Sequence, residues 1–415
     1  MTFSIFFGII KYVMLSLFAK RFIGLDIGSS SVKLAEITVH KGQITVTKLA
    51  SFPIKKLSKR DTTQHGQPIT DALSHLFAQE GIRERRVISD LSGVYVVSRS
   101  FTFPAMSQEE LQKFIRKNAE DYIPAKTSIK QVDIDFQVLR EEMKGGEETA
   151  EVLIAVAKKE AVKEHIQTLS DAGLCPVIID ASSLSLLNAF VFHPFTTKGK
   201  CAAIIDLGAE KTKILIISDA ILRFVIETSI GGNEINKHLK RKLKLNPEEI
   251  ERLKENLTDI SDLGKTIIFN SHLYRTSTIR KTLSSAYEKI SSEIEKVFTY
   301  YQKTNPSSPR IQSIILTGGS AVAYGLSEVI HQKLNVEVQI PNPLDNLKLN
   351  VPLPKNPGVY SLALGLALKK VYPYINTIDL LPETVAKEIK QKREKELVRK
   401  ISSTSGVVCA GMLSF

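Results

Sequence analysis

The sequence predicts an α/β protein of two lobes facing each other across a cleft, and three observations carry that prediction. An apolar run, Phe22-Ile-Gly-Leu-Asp26, turns through Gly28-Ser29-Ser30-Ser31 and descends through Lys33 into a second apolar run. The same pattern returns, register for register, as Asp206-Leu-Gly208-Ala209-Glu210-Lys211-Thr212-Lys213. A third glycine element, Thr317-Gly318-Gly319-Ser320, follows the apolar strand Ile314–Leu316. A tight Gly- and Ser-rich hairpin loop directs backbone N–H groups and hydroxyls to one point, where an anion fits. Two such hairpins predict a duplicated unit clamping an anionic ligand. Gly231-Gly232-Asn233-Glu234 opens a helix whose first amides are expected to meet a phosphate or ribose.

The totals narrow the class. The chain has 415 residues, enough for two sizeable cores, and its 43% hydrophobic and 24% charged content is that of an ordered α/β protein. The formal charge of +12 favours an anionic surface. The lysines are scattered rather than striped with aromatics, which ranks a membrane surface above nucleic acid. Three unpaired cysteines and no Cys/His cluster indicate neither a disulfide framework nor a zinc site, so the expected metal is Mg²⁺ arriving with a nucleotide. A reducing cytosol is the simplest compartment.

At the start, the apolar run 3–18 is broken by Lys11 and is too short for a span of roughly 17–25 residues. Either translation begins at Met14 or the segment is a membrane anchor; the first is preferred. After the first hairpin, Gly42–Thr47 continues the sheet, Ile69–Gly81 reads as a helix and Arg86–Leu91 as a short buried strand. Residues 93–178 then interrupt the lobe. A strand ends at Pro104, and the capping box Ser107-Gln-Glu-Glu110 opens a helix with Leu111, Phe114, Ile115, Ala119 and Tyr122 on one face, closed by Ile123-Pro124. Strands Gln131–Arg140 and Ala150–Ala157 follow, then a helix Lys159–Ala172 stopped by Gly173, then a last strand. Asp180–Phe190 reads as a helix returning the chain to the cleft. In the second half, Asn246-Pro247-Glu248-Glu249 starts a mostly helical stretch, 247–303, and Gly358–Val371 reads as a buried helix.

With these motifs in this order, the sequence resembles the actin-like ATPase superfamily. Within it, residues 14–374 resemble the PilM family, the cytoplasmic actin-like component of the type IV pilus inner-membrane assembly complex. The resemblance implies an actin-like (ribonuclease H-like, duplicated) two-lobed ATPase fold, with an inserted α+β subdomain replacing an actin subdomain and facing partner proteins. Phe103-Pro104-x-Met106-Ser107 with Glu109-Glu110-Leu111 matches the family pattern there. The implied organisation is an extension at 1–20, first lobe at 21–92, insertion at 93–178, return to the first lobe at 179–200, second lobe at 201–355, a helix on the first lobe at 356–374, and a tail at 375–415.

The expected ligand is ATP with Mg²⁺. Asp26 and Asp206 are expected to orient the metal through water, and Gly28, Ser29, Ser30, Ser31, Gly208, Ala209, Glu210 and Thr212 to meet the phosphates. Lys33 or Lys211 adds a point charge or is a solvated strand-edge lysine. Gly232, Glu234 and Lys237 resemble ribose- and base-facing positions, while Gly318, Gly319 and Ser320 allow close approach of the nucleotide. No residue stands out as a water-activating base, so tight binding with slow or no turnover is expected.

From Thr377 the composition changes. Ile378-Asp379-Leu380-Leu381-Pro382 leads into a charged stretch, 387–400, and an apolar end, 406–415. This resembles the N-terminal cytoplasmic peptide of PilN, the family's inner-membrane partner, and makes Ile378, Leu380, Leu381 and Pro382 the expected partner-peptide residues. The alternative for this tail is a disordered basic segment. The implied role is a nucleotide-binding scaffold peripheral to the inner membrane, with PilN and other pilus assembly proteins as partners and no nucleic acid. The alternatives are an FtsA-like, membrane-tethered division filament protein and a sugar-kinase-type phosphotransferase. The latter requires a general-base aspartate and sugar-binding insertions that the sequence does not display.

Overall fold

A computed structural model describes residues 20–391 and Glu394, except 56–65, 93–94, 123–127, 257–265, 270–271, 307, 373–375 and 392–393. The expected N-terminal extension up to residue 19 and the apolar end at 406–415 lie outside the described residues, as does most of the charged stretch beyond 391.

The first hairpin forms as expected, from β1 (Lys20–Ile27) and β2 (Ser31–His40), and β3 (Gln43–Pro53) extends it. Helix α1 (Gln67–Gln79) buries Leu73, Leu76 and Phe77 against this sheet before β4 (Arg86–Leu91). The insertion begins with β5 (Val96–Pro104). Its helix α2 (Gln108–Lys117) is set by a genuine capping box: Ser107 Oγ accepts from the Glu110 amide, and Glu110 accepts from the Ser107 amide. The long ladder β6 (Val132–Lys144) and β7 (Glu147–Lys158) then turns through Gly145-Gly146. Helix α3 (Lys159–Asp171) and β8 (Cys175–Ala181) follow, and a short helix α4 (Ser185–Phe190) leads to the second lobe.

That lobe opens with β9 (Cys201–Leu207), β10 (Thr212–Ser218) and β11 (Ile221–Thr228). Helices α5 (Asn233–Leu243) and α6 (Pro247–Asn256) follow, then a two-stranded ladder, β12 (Thr266–Phe269) with β13 (His272–Arg275), and the long helix α7 (Thr276–Thr304). Strand β14 (Ser313–Thr317), helix α8 (Leu326–Leu334), short strands β15 (Glu337–Gln339) and β16 (Lys348–Leu349), and helix α9 (Ser361–Leu368) follow.

The strand orders are β16-β3-β2-β1-β4-β8 and β11-β10-β9-β14-β15 among the described residues. From β3 and from β11 onward, the two sheets share one topology. Each starts with an antiparallel meander and adds two parallel strands beside its first strand. The insertion forms a separate sheet of order β5-β7-β6.

Two expectations are corrected here. The strand after Gly173 was placed with the insertion, but β8 pairs with β4 in the first-lobe sheet, where Ile178, Ile179 and Ala181 are buried. The return helix was read from Asp180, but Asp180 and Ala181 finish β8 and the α-helix starts only at Ser185. The stretch 247–303 is mostly helical as expected, with the β12–β13 hairpin between its helices. In both corrected cases backbone pairing with the distant strand β4 overrides local pattern.

Helix α9 explains how the lobes meet. It is apolar all round and wholly buried, running across β1 on one side and α4 on the other. A Cβ on Gly24 would lie 1.9 Å from the Ala363 carbonyl, and one on Gly365 would lie 1.9 Å from the Ser185 carbonyl. Helix propensity alone makes Gly365→Ala stabilising by about 1 kcal/mol. The close backbone approach reverses that sign: urea denaturation is expected to show a loss of about 1–3 kcal/mol, and a gain would show that α4 and α9 do not pack this tightly.

Candidate functional site

The two hairpins carry the same charge pair at the same place. Asp26 is the register partner of Lys33 on the β1–β2 ladder, and Asp206 is the partner of Lys213 on β9–β10. Lys33 Nζ donates to Asp26 Oδ2 at 2.9 Å, and Lys213 Nζ lies 3.7 Å from Asp206 Oδ2. Both loops close alike, with the Gly28 amide donating to the Ser31 carbonyl and the Gly208 amide to the Lys211 carbonyl. The pairs act as one cluster, since Lys33 feels Asp206, and Lys213 feels Asp26. Gly28 and Gly208 therefore face a common cleft.

Sequence reading missed two members of this cluster. Lys211, one of the two lysines offered for the phosphates, is half-exposed and pairs with Glu227 at 3.7 Å, so the register equivalent of Lys33 is Lys213. That spacing was already visible in the repeat. The other is Asp90, at the end of β4. The β1–β4 register runs Gly24↔Ile88 and Leu25↔Ser89, so Asp26 and Asp90 come next on adjacent strands. Asp90 is 4% exposed, and its Oδ1 has no hydrogen-bond partner among the described residues. Burial, helped by the Asp26 carboxylate, pushes Asp90 up to about 7 against the pull of Lys213. Burial likewise raises Asp206. Desolvation pulls both lysines down, but the carboxylates outweigh it and hold both ammonium groups above their ordinary value.

The remaining expected residues gather at the same cleft, although several spend their groups on one another. The Gly232 and Asn233 amides donate to the Gly208 and Ala209 carbonyls. The first amides of α5 are therefore committed to the phosphate-type loop rather than presented to a ligand. Gly232 packs so closely on Ser320 that a Cβ would fall 1.8 Å from its hydroxyl. Gly318, at φ +96°, lies against Asp206 and the Leu207 carbonyl. Gly318 is expected to make room for a nucleotide; the space left by its missing side chain is taken up by Asp206 and Leu207, and that at Gly232 by Ser320. Gly319 differs, being exposed with only Val359 within 4 Å of a Cβ position. The Thr212 hydroxyl is turned to the Ile230 carbonyl at 2.5 Å. Ser29 and Ser30 are exposed at the first loop, Ser31 is half-buried, and Glu210 is exposed at the second loop. Glu234 accepts from Lys237 at 2.6 Å and from Lys289 of α7 at 2.9 Å, and these bonds bring its carboxyl down to about 2.

A second constellation lies at the seam of the insertion and the first-lobe sheet. Residues 376–381 run along the outer edge of β8, facing β6. The Leu380 amide donates to the Ile179 carbonyl at 2.7 Å, and the Ile179 amide donates to Asp379 Oδ1 at 3.1 Å. From the other side, Asp135 Oδ2 accepts the Asp379 amide at 2.7 Å and Gln137 Oε1 accepts the Thr377 amide at 2.9 Å. Ile378, Leu380 and Leu381 are 0%, 2% and 7% exposed within a cluster containing Leu153, Ile178 and Leu186. Pro382 is half-buried at the start of a helical stretch, 383–391, whose Val385, Ala386 and Ile389 pack on that cluster. Beneath, Asp180 Oδ2 receives Asn376 Nδ2 at 2.7 Å and Lys369 Nζ at 3.0 Å, while Lys369 also donates to the Ile378 carbonyl. Burial raises the Asp135 and Asp379 carboxyls.

Comparison with known proteins matches residues 24–371 to the family of type IV pilus assembly protein PilM. The chain belongs to the PilM family. A PilM–PilN type IV pilus biogenesis complex has the same fold, at 22% identity over 84% of this chain and 98% of that chain, with a TM-score of 0.69. EutJ, an ethanolamine utilization protein from Carboxydothermus hydrogenoformans, is more distant at 15% identity, 84% and 89% coverage and a TM-score of 0.45. MreB 5 of Spiroplasma citri bound to AMPPNP gives 13%, 90% and 99%, and 0.45. The fold of this PilM family member is actin-like. Among its described residues, no helix is long and apolar enough to cross a membrane.

The Asp90 environment fixes a pH dependence. Its folded value, about 7, lies above the unfolded value of roughly 3.9. The group's contribution to stability is therefore full below about pH 4 and lost as pH rises through 7. Asp90→Asn is expected to unfold at higher urea than the parent at pH 8, with the difference vanishing near pH 4. Equal midpoints at both pH values would show that Asp90 is not strained by burial.

Proposed function

We propose that this chain is a nucleotide-binding scaffold of the type IV pilus inner-membrane assembly complex, holding ATP between its lobes and a PilN-type peptide at the insertion seam. The observation that carries the reading is the seated segment 376–382. A peptide resembling the partner's N-terminus lies in a groove that meets its amides with Asp135, Gln137 and Ile179 and buries three of its apolar side chains. The groove is thus a peptide-binding site, filled in cis by the chain's own tail. A membrane partner offering such a peptide brings the scaffold to the cytoplasmic face of the inner membrane, and the +12 charge favours the anionic lipid there.

The nucleotide part of the proposal rests on the facing hairpins. Two loops with the same closing bond, two half-buried ammonium groups and the exposed backbone at Gly319 suit a triphosphate, and the Glu234–Lys237–Lys289 group lies on the helices beyond, where the ribose and base are expected. Adenosine triphosphate binding closes the lobes and so adjusts the insertion that α9 and β8 support. The donor set fits Mg²⁺ poorly. Asp26 and Asp206, expected to orient its water shell, each hold a lysine.

Two outcomes test these parts separately. Gly319→Val places its side chain in open space at the cleft and is expected to leave the melting temperature unchanged while weakening ATP at least about tenfold, or 1.4 kcal/mol. Undiminished affinity by isothermal titration would remove ATP from this cleft. A chain shortened to end at Lys370 is expected to bind a peptide spanning residues 376–391 in fluorescence anisotropy, whereas the full chain does not. Binding by neither would refute the groove.

A further inference from the structure

The nucleotide reading, on which this inference rests, leaves a question of charge. A triphosphate brings about four negative charges to a cleft that already holds Asp26, Asp90 and Asp206. In most such sites a divalent cation offsets that charge, and Mg²⁺ does so while keeping several waters in a strict octahedron. Here the position beside each aspartate is taken.

We propose that Lys33 and Lys213 replace the divalent cation, so that the cleft binds a nucleoside triphosphate through two lysine ammonium groups and without metal. Three observations converge on this. The lysines occupy equivalent register positions of the two repeated hairpins, one from each lobe, so a phosphate chain between the lobes meets one on either side. Their side chains are only 16% and 14% exposed, which places the charges in the cleft wall rather than in bulk water. Lys33 Nζ lies 3.0 Å from where a Cβ on Gly28 would be, at the mouth of the first loop.

Stoichiometry and valence also suit. Two ammonium groups carry the same charge as one Mg²⁺. Each has three N–H donors; one of those on Lys33 is committed to Asp26, while Lys213 sits at ion-pair distance from Asp206. The remaining donors reach phosphate oxygens without release of either aspartate. Placing a hydrated cation at the same point instead requires both buried ion pairs to break, which leaves ammonium groups unpaired at low exposure.

The full-length chain itself supplies the test. ATP is titrated calorimetrically in buffer containing excess EDTA and again with millimolar Mg²⁺. The proposal expects the two dissociation constants to agree within about threefold. Affinity that disappears in EDTA and returns with Mg²⁺ overturns it and leaves the nucleotide reading intact. Absence of binding in both buffers overturns the nucleotide reading and this inference together. Lys213→Met is expected to lose about tenfold or more in EDTA, with a large part regained in Lys213→Arg, which keeps the charge; thermal melts of each variant separate lost binding from lost folding. Equal ATP affinity in EDTA for a folded Lys213→Met variant also overturns the assignment.

Discussion

The structure depends on one ion pair made twice. Asp26 with Lys33 and Asp206 with Lys213 are cross-strand partners immediately below a glycine turn, and each pair is buried at the end of a lobe's first hairpin. An aspartate at the tip of a buried strand is costly without a counter-charge. The lysine across the ladder supplies it, and the ladder register fixes where that lysine stands. Duplication then brings the two pairs face to face, so every charge sits in the field of the opposite lobe. Asp90 is the departure from symmetry. Its counterpart beside Asp206 on the second sheet is Thr317, whose hydroxyl is satisfied by Ser361 at 2.7 Å. The first lobe has a carboxyl where the second has a hydroxyl, and only the carboxyl raises the local cost of burial.

Much of this was legible in the sequence because it is local and repeated. Hairpin, glycine turn and Asp–Lys spacing are contiguous, so their recurrence at Asp206 announced both the duplication and the register. The capping box at Ser107 was equally self-contained. Failures came where the deciding partner is far along the chain. Asp90 looks like an ordinary strand residue until β4 is laid beside β1. Residues 175–178 belong to the first-lobe sheet only because β4 is there to pair with them. Gly318 and Gly232 read as ligand-facing, yet their lost side chains make room for Asp206 and Ser320. Glycine in a loop reports close approach but not what approaches.

The tail segment shows the same limit from the other side. Its motif, Ile378-Asp379-Leu380-Leu381-Pro382, resembles a docking peptide, but nothing in the sequence says that the segment packs on its own chain. That follows from a groove with complementary chemistry. Asp135 and Gln137 on β6 present side-chain acceptors to two peptide amides, and β8 exposes a backbone edge. An edge strand is an open template for pairing. Residues 376–381 cover it, with apolar side chains filling the space between the insertion and the first lobe.

Groove and cleft are consequently two faces of one pair of strands. Asp180 on β8 is the register partner of Asp90 on β4. The first receives Lys369 and Asn376 at the groove, and the second lies among Asp26 and Lys213 at the cleft. The Lys369–Asp180 pair is 3% and 0% exposed, and an ion pair at that depth tolerates little displacement because loss of either partner leaves a bare buried charge. A peptide seated through Asn376 and Ile378 therefore pins the end of β8, and Ser182 and Ser183 continue directly from it toward the second lobe. The β4–β8 ladder carries that constraint to Asp90 through a single register step. Under the proposed function, what a peptide fixes on one side of the ladder is the wall that a triphosphate would meet on the other, so both ligands would act on the same two strands.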